Sequence, residues 1–208
     1  MTLHRAGISP VVAAISLIPL TLVYTGCRGR NVDTSGSTPA LYGVPNYHFE
    51  YCELKPTEQK VDTSGGLGSL AAVMGYWDVE TNEETLAEKY PPPANGGHSI
   101  RKLRRIAIDE GLTAFALVMK ENGLDQIGEQ LENGRPVIVA LHLPEGGYSG
   151  LRAETEGLER ERFAVVFGQS ETEFLVMDAG TGVIRIPKSD FESVWSAGKY
   201  AALICSSS

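Results

Sequence analysis

Thiols and imidazoles are the side chains of this sequence that could act as nucleophiles, bases or metal ligands. The 208 residues include three cysteines and four histidines. The sequence has no Cys-x-x-Cys or His-x-x-x-His spacing, so no structural zinc site is expected. Three cysteines are also too few for a disulfide framework. Each of these residues is therefore a separate candidate: Cys27, Cys52, Cys205, His4, His48, His98 and His142.

Cys27 follows a segment with the pattern of a secretion signal. Residues 1–26 carry one formal charge, Arg5, and an apolar stretch at 11–24 that is too short to span a bilayer comfortably. Thr25 and Gly26 before Cys27 resemble the lipobox of bacterial lipoproteins, where the chain is cut before a cysteine that receives lipid. The resemblance implies a signal peptide, a lipid anchor at Cys27 and an extracytoplasmic position on a bacterial membrane. An ordinary signal peptide and an uncleaved anchor are the alternatives.

Composition separates a tether from one globular domain. Residues 27–46 are rich in Gly, Ser, Thr and Pro without periodicity, which predicts a flexible tether. Residues 47–208 contain no internal repeat and are expected to form one domain. The chain has 18 basic against 26 acidic residues and a net charge of −8. Nucleic acid is therefore not expected as a partner, because proteins that bind it gather Lys and Arg on one face.

The elements that must position any site are predicted as helices first and strands afterwards. Apolar residues spaced by three and four after Gly66 predict a buried helix, and Asn82, Ser99 and Asn122 are N-cap signals for three more. A capping box at 189–192 predicts a fifth short helix. Strands are predicted at 113–118, 136–141, 163–167, 173–177, 182–186 and 199–204. This order predicts an α+β domain, with N-terminal helices packed on a mostly antiparallel C-terminal sheet.

Five segments resemble, in the same order, the bacteriocin-processing cysteine peptidases, which cleave double-glycine leaders and form family 39 of the cysteine class. The segments are QKVDTSGGLGSLAAVMGYW at 59–77, GRPVIVAL at 134–141, RFAVVFG at 162–168, LVMDAGTG at 175–182 and DFESVW at 190–195. Together they cover nearly the whole domain. The resemblance implies a papain-like fold and assigns four functional positions.

Two of these four positions keep a suitable residue. Gln59 matches the glutamine that helps to bind the oxyanion, and Asp178 matches the carboxylate that orients the base. The nucleophilic cysteine position falls on Gly65, and the histidine base position falls on Arg162. Glycine has no side chain, and a guanidinium with a pKa above about 12 cannot accept a proton at neutral pH. A catalytically inactive domain, a pseudo-peptidase, is therefore expected.

Other residues could supply the missing chemistry. Ser64 stands one residue before the nucleophile position, and His142 could serve it as a base if its strand adjoins the one at 162–168. Cys52 is a further nucleophile candidate, with a buried apolar role or a disulfide to Cys205 as alternatives.

Charged residues predict two further features. Arg162 and Asp178 are expected to form an ion pair that locks the cleft, unless Arg162 points into solvent. A basic run on the helix after Ser99 is a solvated face or, alternatively, a contact with phospholipid headgroups. The run consists of Arg101, Lys102, Arg104 and Arg105.

These observations predict a lipid-anchored extracytoplasmic pseudo-peptidase that binds a peptide or an envelope protein. A residual cysteine or serine peptidase is one alternative, and a purely structural envelope lipoprotein is the other. No cofactor or metal is expected. No nucleotide is expected either, because the Walker and GxGxxG patterns are absent.

Overall fold

The computed structural model describes residues 49–55, 66–93, 97–142, 162–179 and 182–208. The predicted signal peptide and tether lie outside these ranges, as do Cys27, Gln59, Ser64 and Gly65. The described helices are α1 (Leu67–Tyr76), α2 (Glu83–Lys89), α3 (Ile100–Asp109), α4 (Gly123–Glu132) and α5 (Lys188–Ala197). The described strands are β1 (Glu50–Tyr51), β2 (Leu112–Val118), β3 (Val137–Leu141), β4 (Arg162–Gln169), β5 (Glu173–Asp178), β6 (Gly182–Pro187) and β7 (Ala201–Ser207).

One sheet contains all the described strands. Six of them follow the spatial order β2-β7-β3-β4-β5-β6, and β1 pairs with the end of β4. Every pair is antiparallel, which confirms the predicted α+β architecture. Strand β7 lies between β2 and β3, so it joins β2 to the rest of the sheet.

The centre of the sheet forms the core. β3, β4 and β5 are buried at nearly every position, as expected for strands that are covered on both faces. Helices α1 and α4 pack against β4, and α5 packs against β3. Trp195 of α5 is fully buried and its ring contacts Phe191, which in turn meets Phe174 edge-on. Trp195 is thus a central residue of the core.

Two predicted N-caps are confirmed by their hydrogen bonds. The side chain of Asn82 accepts from the Thr85 amide at 2.9 Å, and the side chain of Ser99 accepts from the Lys102 amide at 3.4 Å. Asn122 also precedes its helix, α4, but it does so in the left-handed conformation, with φ 52°, and makes no side-chain cap.

The predicted capping box of the last helix is wrong. Helix α5 begins at Lys188 with Pro187 as its cap, so Ser189 is already inside the helix. The reason is a tertiary contact: the Lys188 amide donates to the Thr172 carbonyl at 2.9 Å. The helix therefore begins two residues before the position that a Ser189 cap would give. The hydroxyl of Ser189 instead contacts the neighbouring Asp190 carboxylate.

Candidate functional site

The start of α1 is the place where the resemblance puts a nucleophile. Gly66 caps this helix in the left-handed conformation, with φ 93°. A Cβ at this position would lie 2.7 Å from Leu103 Cδ1 and 2.8 Å from Phe163 Cδ2. Glycine alone fits both the backbone conformation and the space. The chain just after Gly65 is therefore held against the beginning of β4.

The first turn of α1 is tied to the two strands that carry the other assigned positions. The Ser69 hydroxyl is buried and donates to the Phe163 carbonyl of β4 at 3.0 Å. A Cβ on Gly68 would lie 2.9 Å from Ala179 Cβ, directly after β5. Because Phe163 follows Arg162 and Ala179 follows Asp178, the helix start, the base position and the orienting position lie together.

Arg162 and Asp178 form the predicted ion pair. Arg162 Nη2 donates to Asp178 Oδ1 at 2.6 Å, and Arg162 Nε donates to Asp178 Oδ2. The Asp178 side chain is 1% exposed and that of Arg162 is 16% exposed. Two parallel charge-assisted bonds hold the guanidinium in the plane of the carboxylate. The alternative in which Arg162 points freely into solvent is therefore wrong.

Strand register brings this pair to one end of the sheet. Ala164 of β4 lies opposite Asp178 of β5. Arg162 lies two residues before Ala164, so its side chain is on the same face of the sheet and reaches the Asp178 carboxylate. The carboxylate that would orient a histidine is occupied by a guanidinium. The pair holds two strand ends together, and its guanidinium cannot accept a proton at neutral pH.

His142 lies near this end of the sheet, as the serine alternative requires. Its strand β3 pairs with β4, and Leu141 is the partner of Arg162. The backbone amide of His142 donates to the Val194 carbonyl at 3.0 Å, so the main chain here is fixed to α5. Ser64 lies outside the described residues, and the Ser64 and His142 pair therefore stays a prediction.

Cys52 is placed at the opposite end of α1 from the nucleophile position. Its amide donates to the Phe167 carbonyl at 2.7 Å, and its thiol is hydrogen-bonded to Tyr76, the last residue of α1. Burial raises the pKa of Cys52 to about 11, although the contact with Tyr76 lowers it. A thiol of this kind stays neutral at physiological pH and lacks the helix N-terminus that favours a thiolate. The geometry gives Cys52 a core role.

Cys205 is also a buried thiol. It lies on β7 opposite Ala114, and burial raises its pKa to about 12. Both Cys52 and Cys205 are free in the structure, so the alternative disulfide between them is absent. Neither residue has the features of a catalytic nucleophile.

The two raised pKa values predict a loss of stability in alkali. Unfolding returns Cys52 and Cys205 to an ordinary thiol pKa near 9.0, whereas folding holds the values at about 11 and 12. The contribution of the neutral thiols is therefore complete below pH 9 and is lost as pH rises through 11 and 12. Urea unfolding at steps from pH 8 to 11 should show a falling free energy of unfolding. The Cys52→Ala, Cys205→Ala double variant should have a flatter profile, and an equal slope for both proteins would contradict this origin.

A buried carboxylate near the start of α1 is a site residue that the sequence did not reveal. Glu83 is 5% exposed, and its Oε1 lies 3.6 Å from where a Cβ of Gly68 would be. Along the chain Glu83 is only an acidic residue in the first turn of its own helix, α2. The packing of α2 on α1 brings it beside another helix start, where negative charge is favoured. No local pattern could have shown this contact.

No group of three or more His, Cys, Asp or Glu side chains in the described ranges could hold a metal ion. No helix in that part of the chain is long and apolar enough to cross a membrane.

The sequence matches no protein-family model and no curated protein sequence. Solved structures do resemble it. A C39-like peptidase from Bacillus anthracis is 15% identical with a TM-score of 0.57, covering 75% of this chain and 96% of that one. The double-glycine motif protease of an AMS/PCAT transporter, solved with its leader peptide, is 16% identical with a TM-score of 0.55, covering 76% and 94%.

A third similar structure is the peptidase domain of Streptococcus ComA, a bifunctional ABC transporter involved in a quorum-sensing pathway. It is 17% identical with a TM-score of 0.57, covering 73% of this chain and 97% of that domain. At these identities the likeness concerns the fold. The resemblance stated from the five sequence segments is confirmed at that level: this chain has the fold of the C39 peptidase domains that process double-glycine leaders.

Proposed function

We propose that this protein is a peptidase-like binding module without peptidase activity, held at a bacterial membrane by lipid on Cys27. The observation that carries the proposal is the ion pair between Arg162 and Asp178. In a papain-like site the corresponding strand position must accept a proton from the nucleophile and later return it to the leaving amine. An arginine that is bonded through two nitrogens to a buried carboxylate can do neither.

The nucleophile position supports the same conclusion. Peptide cleavage by this fold needs a thiolate at the start of the buried helix, and Gly65 offers no side chain there. The neighbouring Ser64 hydroxyl would need a base, since an alcohol is scarcely ionised at neutral pH. Cys52 is neutral and lies near Tyr76 at the other end of α1. Loss of the acceptor and loss of the nucleophile are independent reasons to expect no cleavage.

Part of the framework around the proposed site lies in the described residues. The start of α1 still abuts β4 through Gly66 and Ser69, and it has no side-chain cap. Such a helix start favours carbonyl or carboxylate oxygens. One structurally similar protease was solved with a leader peptide, and a peptide is the ligand class that this domain would retain. An envelope protein that presents an extended segment would bind in the same way.

The anchor sets where binding would take place. Lipid on Cys27 and a tether to residue 46 would hold the domain close to the membrane on its extracytoplasmic side. A binding module in this position would concentrate its peptide or protein partner at the cell envelope.

Cleavage and binding can be measured with the same full-length preparation. Synthetic leader peptides that end in Gly-Gly, extended by a reporter sequence, should bind without being cut. Peptides in which Ala-Ala replaces Gly-Gly serve as the control for binding. Mass spectrometry of the products reports cleavage, and isothermal calorimetry reports binding. Mass spectrometry of the intact chain also detects the lipid, which Cys27→Ser should abolish.

Three results would change the proposal. Cleavage that is lost in Ser64→Ala or Cys52→Ala would establish the peptidase alternative. Absent binding of both peptide sets would remove the peptide ligand and favour a purely structural lipoprotein, whereas equal binding of both would remove only the preference for Gly-Gly. A full-length chain without lipid would remove the anchor and leave the binding question intact.

A further inference from the structure

The large apolar side chains that are exposed in the described residues belong to two adjoining elements. They are Ile108 of α3 and Phe115, Leu117 and Val118 of β2, with exposed fractions of 39%, 55%, 42% and 70%. Helix α3 runs into β2 through a turn at 110–111 and packs against it. Scattered exposed apolar side chains are ordinary in soluble proteins, whereas a cluster marks a contact surface.

The alternation along β2 explains why Phe115 and Leu117 are exposed. Leu112 and Ala114 are buried, while Thr113, Phe115 and Leu117 point to the opposite, exposed face of the strand. In the described part of the chain β2 ends the strand order and pairs with β7. Phe115 and Leu117 therefore lie on the face opposite the buried residues, Val118 lies at the end of the strand, and all three belong to one margin of the sheet.

The basic run of α3 lies beside the same margin of the sheet. Arg104 Nε donates to the Ala114 carbonyl of β2 at 3.0 Å, so the cationic side of the helix touches the strand. All four members of the run, Arg101, Lys102, Arg104 and Arg105, are exposed. We call the basic run and the four apolar residues together the α3–β2 edge.

Acidic groups next to the edge leave its positive charge largely intact. The Asp109 carboxylate lies 3.8 Å from Arg105 Nε in an exposed pair, which is a weak contact. Glu110 is already bonded to Lys89 at 2.6 Å and to the Tyr90 hydroxyl at 2.6 Å. The chain as a whole has a net charge of −8, so this edge is basic on an acidic protein.

We propose that the α3–β2 edge docks on an anionic phospholipid surface. The apolar side chains would enter the headgroup layer, and the arginines and Lys102 would contact lipid phosphates. Because the rest of the chain is acidic, an anionic surface attracts this edge and repels the remainder. Docking would therefore fix the orientation of the domain. This inference goes beyond the proposed function and does not depend on lipid at Cys27.

Charge and hydrogen bonding disfavour a second copy or a peptide strand on the same edge. An added strand would have to displace Arg104 from the Ala114 carbonyl. A second copy paired antiparallel through β2 would also bring its α3 beside the first, with both basic runs facing each other. Like charges at such a distance oppose pairing. An anionic lipid surface supplies the opposite charge and needs no hydrogen bonds from the backbone of β2.

Quenching by spin-labelled lipid headgroups tests the orientation directly. A full-length Cys27→Ser chain with Thr113→Cys carries an environment-sensitive dye on the exposed face of β2, since the two native thiols of the domain are buried. A dye at Glu192→Cys, which is exposed on α5, is the control position. In vesicles of phosphatidylglycerol and phosphatidylcholine the dye at 113 should be quenched severalfold more than the dye at 192. In phosphatidylcholine alone the difference should disappear.

Matched variants separate charge from apolar contact. Arg101→Gln should lower the docked population about fivefold, because each basic residue near an anionic surface contributes about that factor. Lys55→Gln removes one exposed charge away from the edge and should leave quenching unchanged. The Phe115→Ser, Val118→Ser double variant should weaken quenching at 113 even with all charges present. High salt should abolish the part of the quenching that depends on the basic residues.

Two outcomes would overturn the proposal. Equal quenching at both dye positions in anionic vesicles would mean that the edge has no preferred contact with lipid. Dimers formed by short cross-linkers at position 113, without dependence on lipid composition, would show that a second copy covers the edge. Neither result bears on peptide binding, so failure here is distinguishable from failure of the proposed function.

Discussion

Replacing Arg162 with alanine should lower the free energy of unfolding by about 3–5 kcal/mol. The Asp178 carboxylate is 1% exposed and bonds through both oxygens to the Arg162 guanidinium. Without that guanidinium, the buried Asp178 carboxylate at the end of β5 would lose its cationic partner, and a buried charge without one is strongly destabilising. Urea denaturation, followed by the fluorescence of the buried Trp195, measures the loss.

Arg105→Ala is the matched control for this substitution. Arg105 also pairs with an aspartate, Asp109, but the two side chains are 72% and 45% exposed. Exposed pairs contribute about 0–1 kcal/mol, so this variant should be nearly neutral. Replacing both Arg162 and Asp178 with alanine should cost less than Arg162→Ala alone, since the buried charge leaves with its partner. Equal small losses for Arg162→Ala and Arg105→Ala would contradict the structural role of the buried pair.

A second large loss, about 3 kcal/mol, is expected for Gly198→Ala. Gly198 ends α5 against β3, and a Cβ there would overlap the carbonyl oxygen of Ala140 and lie 2.8 Å from its carbonyl carbon. Both atoms belong to the backbone, so no side-chain rotation can relieve the overlap. Ala140 is the strand partner of Phe163, and the displacement would pass to the beginning of β4. Thermal and urea unfolding should both register the change.

Gly75→Ala provides the control for this prediction. Gly75 lies inside α1, and a Cβ there would meet nothing within 4 Å. Alanine at such a position should stabilise the protein by about 0.5–1 kcal/mol, because it restricts the unfolded chain. A Gly198→Ala protein as stable as the parent would mean that α5 and β3 can separate at little cost. It would also weaken the view that α5 braces the strands around the candidate site.

The predictions for Arg162→Ala and Gly198→Ala concern the same part of the sheet, the beginning of β4 and the neighbouring strands. Arg162 begins β4 and joins it to β5, while α5 supports β3, the strand next to β4. If the domain binds peptides without cutting them, this end must stay ordered without catalytic hydrogen bonds. The ion pair and the close packing of Gly66 and Gly198 supply that order.

Local sequence patterns were sufficient to predict most of the helices and strands. The side-chain caps at Asn82 and Ser99 and the strand runs around 137–141 and 163–167 were predictable because they depend on neighbours in sequence. The exceptions have long-range causes. Helix α5 starts before Ser189 because of a bond from Lys188 to Thr172, and the two-residue β1 was not predicted because it forms only against β4.

The sequence by itself predicted the α+β order and the likeness to the leader peptidases, both of which are confirmed at the level of the fold. It also predicted, from the resemblance, that Gly65 and Arg162 stand at the cysteine and histidine positions of those peptidases. These follow from residue types and spacing along the chain. Tertiary structure decided between the ion pair of Arg162 with Asp178 and the solvent-exposed alternative, and it alone placed Glu83 beside α1 and brought apolar and basic residues to one edge. The reason is physical: ion pairing, burial and surface clustering depend on strand register and helix packing, which join residues far apart in sequence.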